Sequence, residues 1–204
     1  QESWLFHQFA RTKGTWAVLG VGTNMGYNYT PEEALNWFPA DAPDSRKNYM
    51  RQGIAAAKAG LPYNFDNWGG YPVARSRVFA SAQKHDLNLV VVSGDSHNGW
   101  AFDLPEGGRP VGVEFGGHSV SSPGIENATV GTDPARIAKD ILARNKDELR
   151  WVDTSNRGYM HLSLTPKAAT NEWVFMDTVR DVSLKTKPGH RMMVRPGRKV
   201  LETA

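Results

Sequence analysis

The 204-residue sequence contains no cysteine. That excludes disulfides, thiolate metal ligands and cysteine nucleophiles from this segment, and leaves its compartment undecided. Long apolar runs are also missing: none approaches the roughly 18 residues that span a bilayer, and no charged-then-apolar leader is present. Internal repeats and low-complexity linkers are absent too, so nothing divides the chain internally. Because the first residue is Gln1 rather than Met, a mature or truncated segment is expected, with any export signal lying outside it.

Net charge is small, +3, and unevenly spread. Residues 180–204 carry seven Lys/Arg against two acids, whereas the first 179 residues carry 17 basic and 19 acidic groups. The expected organisation is therefore one body over 1–179 followed by a basic extended tail over 180–204. Such a tail could steer an anionic ligand. No aromatic interleaving accompanies its charges, which argues against nucleic-acid recognition. With 40% hydrophobic residues, the chain can build one core or a large piece of one.

The most informative stretch runs from Val90 to Trp100. Leu87 to Val92 is nearly all apolar and β-branched, the pattern of a strand buried on both faces. Gly94 permits a sharp turn. Asp95 and His97 then stand two apart, so if the backbone stays extended they project to one side beyond the carboxyl end of the strand, where open α/β sheets keep their ligands. A carboxylate and an imidazole sharing one space suit a hard or borderline cation such as Fe, Mn, Zn or Ca. The same residues have plainer readings: a strand-end Asp forms turns and helix N-caps, and a lone His can be purely structural.

Around this stretch the chain alternates helical and strand patterns. Helices are expected over Glu2 to Thr12, from Pro31 with Thr30 as N-cap through Asp44 to Ala57, over Pro72 to His85, and from Pro134 with Asp133 as cap. Strands are expected over Trp16 to Gly20, Val111 to Phe115, Tyr159 to Thr165 and Trp173 to Val179. Trp37 and Phe38 read as core. Aromatics between Leu61 and Pro72 imply either a pocket wall or loop anchoring, and the loop after Phe115 could turn His118 or a serine inward.

Several blocks in order resemble the alkaline phosphatase D (PhoD-like) family of metallophosphatases. They are Glu2-Ser3-Trp4-Leu5, Trp16 to Gly20, Asp66 to Arg75, Val92 to Ala101, Val113 to Gly124 and Asn156 to Tyr159. The resemblance implies the C-terminal half of an α/β (α+β) metallophosphatase-type β-sandwich flanked by helices. It also implies a secreted or periplasmic enzyme that hydrolyses phosphate mono- and diesters at an iron and calcium cluster. The family's Gly-Asp-x-His motif falls on Gly94, Asp95 and His97, making the last two metal ligands by resemblance. Further ligands would come from upstream motifs in the missing N-terminal half of the domain, so no complete site is expected here. Departures occur at Val21-Gly22 and at Gly69, where the family carries polar groups.

Attack on a phosphate ester builds negative charge on oxygen, which close cations can stabilise while acidifying a water. Arg75 and Arg157 are candidate phosphate contacts because a guanidinium grips phosphate bidentately; each could equally be a structural ion pair. Two rivals remain. Gly94-Asp95-Ser96 could present Ser96 as the nucleophile of a GDSL-type serine esterase, although none of the six histidines has an Asp three residues before it. Alternatively, the segment is a non-catalytic module or pseudoenzyme.

Overall fold

A computed structural model describes all 204 residues. Four α-helices are present: α1 (Glu2–Arg11), α2 (Asp44–Lys58), α3 (Pro72–Lys84) and α4 (Pro134–Arg144). Nine strands form two sheets. The first contains β1 (Ala17–Gly20), β2 (Leu89–Ser93), β3 (Gly99–Glu106), β4 (Arg109–Gly116) and β5 (Leu149–Asp153), in the order β1-β2-β4-β3-β5. The second is an antiparallel meander of β6 (Gly158–Leu164), β7 (Ala169–Met176), β8 (Thr186–Val194) and β9 (Glu202–Thr203).

The period-2 geometry of the first sheet explains the layering. Leu89 and Val91 of β2 point into a core shared with the helices, beside Phe9, Phe79 and Ile137, while Val90 points the other way, into a core shared with the second sheet. Strand β3 divides likewise, with Trp100, Phe102 and Leu104 on the helix side and Ala101 on the sheet side. Trp173 fills the space between the sheets, fully buried, and its indole N–H donates to the Gly116 carbonyl. Helices therefore cover one face and a second sheet the other, the α/β architecture of a β-sandwich flanked by helices.

Strands β1, β2 and β4 are parallel, and β3 returns antiparallel through a hairpin. Gly107 and Gly108 both take positive φ there, the backbone of a two-residue type I′ turn that few other residues adopt.

Three details differ from expectation. Thr30 caps no α-helix: residues Glu32–Trp37 form a tighter 3-10 helix whose N-cap is Pro31, and the Thr30 hydroxyl lies buried without a partner. In α3 the sequence pattern puts Ala74, Val78 and Ala82 on one stripe and Arg75 elsewhere, whereas the buried residues are Arg75, Val78, Phe79 and Ala82, so Arg75 sits on the inner face. The segment 180–204, expected as an extended tail, carries β8 and β9, with Met192 and Val194 in the inter-sheet core. Lys187 and Arg191 stand at exposed positions of β8 and the other five basic residues lie in the flanking loops, so a local charge excess masked a strand with every other residue buried near its end.

His190 of β8 stacks on Trp151 of β5, ring centroids 4.4 Å apart. Burial holds its imidazole pKa below the ordinary value. The folded state thus keeps His190 neutral while the unfolded chain protonates it more readily, so stability present above about pH 6.5 is lost as pH falls from there through the depressed folded value. His190→Phe keeps the stack and removes the titration. The variant's thermal midpoint is expected to fall less than the parent's between pH 7 and pH 5; equal falls would contradict this reading of His190.

Candidate metal-binding site

At the C-terminal ends of β2 and β4 the chain encloses a cavity of about 350 Å³. Its floor is the turn Asp95, Ser96, His97 and Asn98; Asn24 and Asn28 come from the loop after β1, and Trp37, Met50 and Ile141 from the helical side. Tyr63, Asn64 and Asn67 add a wall from the aromatic loop, so that loop lines the pocket while its Trp68 anchors in the core. Trp37 is core, as expected, donates to Asp140 at 2.9 Å and also borders the cavity.

The turn is not extended. Asp95 and His97 have φ of 64° and 60°, the left-handed region that costs a non-glycine residue roughly 1 kcal/mol or more. Strict alternation therefore does not operate, yet both residues still line the same cavity. The Asp95 carboxylate is exposed and has no hydrogen-bond or ion-pair partner. The His97 ring is fixed by a 2.9 Å contact between Nδ1 and the Pro123 carbonyl, which leaves Nε2 as its available donor atom.

Arg157 holds this turn from beneath. It is buried, donates to the His97 carbonyl at 3.1 Å and pairs with Glu126, whose carboxylate accepts from Gly124 N–H. It does not line the cavity: its guanidinium bonds the His97 carbonyl and pairs with Glu126, the structural ion pair that stands beside the phosphate reading. Arg75, the other candidate phosphate contact, is likewise off the cavity lining and in an ion pair. Its guanidinium pairs with Glu148 at 2.7 Å, donates to the Met25 carbonyl at 2.8 Å and lies 4.1 Å from the Tyr27 ring centroid. Removing it from that buried pair to meet a ligand would strand Glu148.

His118 does not face the cavity either. It packs edge-on against Phe175 of the second sheet, where burial holds its pKa below the ordinary imidazole value. Ser96 Oγ donates to the Asn98 carbonyl and accepts from Trp100 Nε1 at 2.7 Å; no imidazole bonds to it, so the base that a serine nucleophile needs is absent.

Beneath the cavity lies Glu114, fully buried in β4. Its carboxylate accepts from the Met25 and Gly26 backbone N–H groups, the Asn24 amide and the Ser93 hydroxyl. Burial holds its pKa above the ordinary carboxylate value, although those four donors act to lower it. Glu148 accepts from Tyr27 N–H, and Asn145 brackets Tyr29 through both its N–H and its carbonyl. The loop after β1 is thus pinned to three buried acceptors. Gly26 is needed there because a Cβ would lie 2.3 Å from the Phe102 ring. A carboxylate in the apolar run Val111 to Phe115 was the sequence signal for this clamp.

No cluster of three or more His, Cys, Asp or Glu side chains able to hold a metal exists in the chain. Asp95 and His97 bring a carboxylate and an imidazole, the donor types of a mixed O/N site, to the lining of one cavity.

The model of the PhoD-like phosphatase family matches residues 1–173. The chain belongs to that family. It is 26% identical, over 201 residues and 96% of its length, to alkaline phosphatase D of Bacillus subtilis (strain 168). The solved structure of PhoD superposes with a TM-score of 0.69 at 22% identity, covering 99% of this chain, and so corroborates the fold. The PhoD-like chain spans 28% of the Bacillus protein and 34% of the PhoD structure. No helix is long and apolar enough to cross a membrane.

Glu114→Gln preserves shape but turns an amide N–H₂ toward donors. Unfolding free energy in urea is expected to drop by roughly 2–3 kcal/mol, the scale for orphaned buried donors. An unchanged midpoint would remove Glu114 as the clamp.

Proposed function

We propose that this chain is the part of a metal-dependent phosphoesterase that supplies two metal ligands, Asp95 and His97. The single observation carrying this reading is their convergence on one cavity, Asp95 unpartnered and His97 with Nδ1 tethered and Nε2 available. Membership of the PhoD-like family supports it. The reaction is hydrolysis of phosphate mono- or diesters, with iron and calcium as the metals and a periplasmic or secreted location, in line with the family resemblance.

Electrostatics give a second argument. The cavity lining contains no Lys or Arg, and its acidic residue, Asp95, is repulsive to a phosphate. An anionic ester binds there only when cations reverse the local charge. When bound, such cations supply Lewis-acid stabilisation of phosphoryl oxygens and an acidified water. Asp95 balances their charge, and His97 offers a ring nitrogen in an orientation fixed by Pro123. Trp37, Met50 and Ile141 give the organic part of the ester an apolar wall and limit water. The asparagines offer uncharged hydrogen-bonding groups that do not compete for the metal's charge. With two ligands on the chain, activity belongs to a polypeptide that provides the rest.

Asp95→Asn and His97→Ala in the complete gene product are expected to lose bound metal, measured by mass spectrometry of the elements. Each should also lose at least about 100-fold in kcat/KM on p-nitrophenyl phosphate or its diester, the upper range for groups supporting a metal indirectly. Ser96→Ala should retain metal. Full metal content and full turnover in the first two variants would refute the proposal, and covalent labelling of Ser96 by a phosphonate would favour the esterase instead.

A further inference from the structure

The segment joining β7 to β8 carries apolar side chains that the fold does not use. Val182 is 106% exposed and Leu184 95%, the two most exposed large hydrophobic residues of the chain, and Val179 is exposed as well. None of the three belongs to either core. Single exposed aliphatics are ordinary on a protein surface, but three within the stretch 179–184 form a cluster, and clusters mark places where something else is met.

The loop that presents them is bonded into shape. Asp177 N–H donates to the Lys185 carbonyl at 3.0 Å and closes its base. Within it, the Asp177 carboxylate accepts from Thr178 N–H, the Thr178 hydroxyl from Arg180 N–H and the Ser183 hydroxyl from Lys185 N–H. Backbone N–H groups left unmet bar a segment from an apolar medium. A loop that meets several of them with its own side chains can settle at the boundary of one.

Charge selects the occupant. Arg180, Lys185 and Lys187 stand around the apolar pair, all exposed, while the ion pairs of this sheet are Arg191 with Glu172 and Arg195 with Glu202. Against these three free cations stands one free acid, Asp181, since the Asp177 carboxylate is engaged by Thr178. Aliphatic tips ringed by cations match a bilayer that carries anionic headgroups over hydrocarbon, because Lys and Arg keep their charge among the headgroups while Val and Leu reach below them. A second copy meeting this loop with its own would bring like charges together. The loop also lies beyond residues 1–173, the part of the chain that the family model matches.

We propose that the loop after β7 docks the protein shallowly on an anionic lipid bilayer, with Val182 and Leu184 inserted and Arg180, Lys185 and Lys187 among the headgroups. The docking stands apart from the metal reading and needs no membrane-spanning segment.

Co-sedimentation of the complete gene product with vesicles of phosphatidylcholine mixed with phosphatidylglycerol tests this. The parent is expected to bind, and to be released progressively as salt rises toward about 1 M, where charges are screened beyond ~3 Å. Val182→Ser with Leu184→Ser should weaken binding at least about tenfold, the scale for withdrawing aliphatic groups from an apolar medium. Lys185→Gln with Lys187→Gln should weaken it by about tenfold or more. Both double variants should keep the parent's thermal midpoint and its turnover of p-nitrophenyl phosphate, because these four side chains are exposed. A parent that stays in the supernatant, or serine variants that bind as tightly as the parent, would overturn the proposal. Equal binding to phosphatidylcholine alone would overturn it too, since the cations would then select nothing. A protein that ignores vesicles but forms a dimer dispersed by the serine substitutions would assign the loop to a second copy instead.

Discussion

Glu114 is the charge on which the site depends. A carboxylate inside a sheet is costly unless donors surround it, and here four converge on it from the loop after β1 and from the end of β2. That arrangement joins two segments distant in sequence, Asn24 to Gly26 and Ser93, at the point where β2 becomes the ligand turn. Losing the carboxylate would leave backbone N–H groups buried without partners, so the loop cannot drift without unmaking the clamp. The loop is held close over Phe102 and lines the cavity opposite the turn through Asn24 and Asn28.

Above the clamp, the turn itself is held in an unfavourable conformation. Two left-handed non-glycine residues two positions apart persist only where their surroundings over-determine them. Arg157 on the His97 carbonyl, Pro123 on its ring and Trp100 on the Ser96 hydroxyl provide that restraint. Within that turn the Asp95 carboxylate and one imidazole nitrogen of His97 are left unengaged, as is the buried Asn98 amide nitrogen. The proposed cation site starts from these free groups, since a carboxylate and an imidazole are donors that one cation can share.

Much of this was legible in the chain. The β-branched run before Gly94 announced a strand buried on both faces, and Val90 against Leu89 and Val91 shows why: it serves two cores. Helix α4 was visible from Asp133 and Pro134, whose cap accepts from Ala135 N–H. For the arginines both readings stayed open in the chain, because a guanidinium suits phosphate and buried carboxylate equally and sequence does not reveal Glu148 or Glu126 as the partner. Spacing placed Asp95 and His97 together through an extended step that the backbone does not take. The last strands were hidden by composition, since charge counts ignore alternation.

Anomalous diffraction from crystals of the complete enzyme, recorded on either side of the iron edge, addresses the metal centre most directly. The account predicts an anomalous peak in the cavity within about 2.5 Å of a His97 ring nitrogen or an Asp95 oxygen, the range for these metal–ligand bonds. Well-ordered Asp95 and His97 side chains with no metal peak between them, or with the peak bound elsewhere, would contradict it.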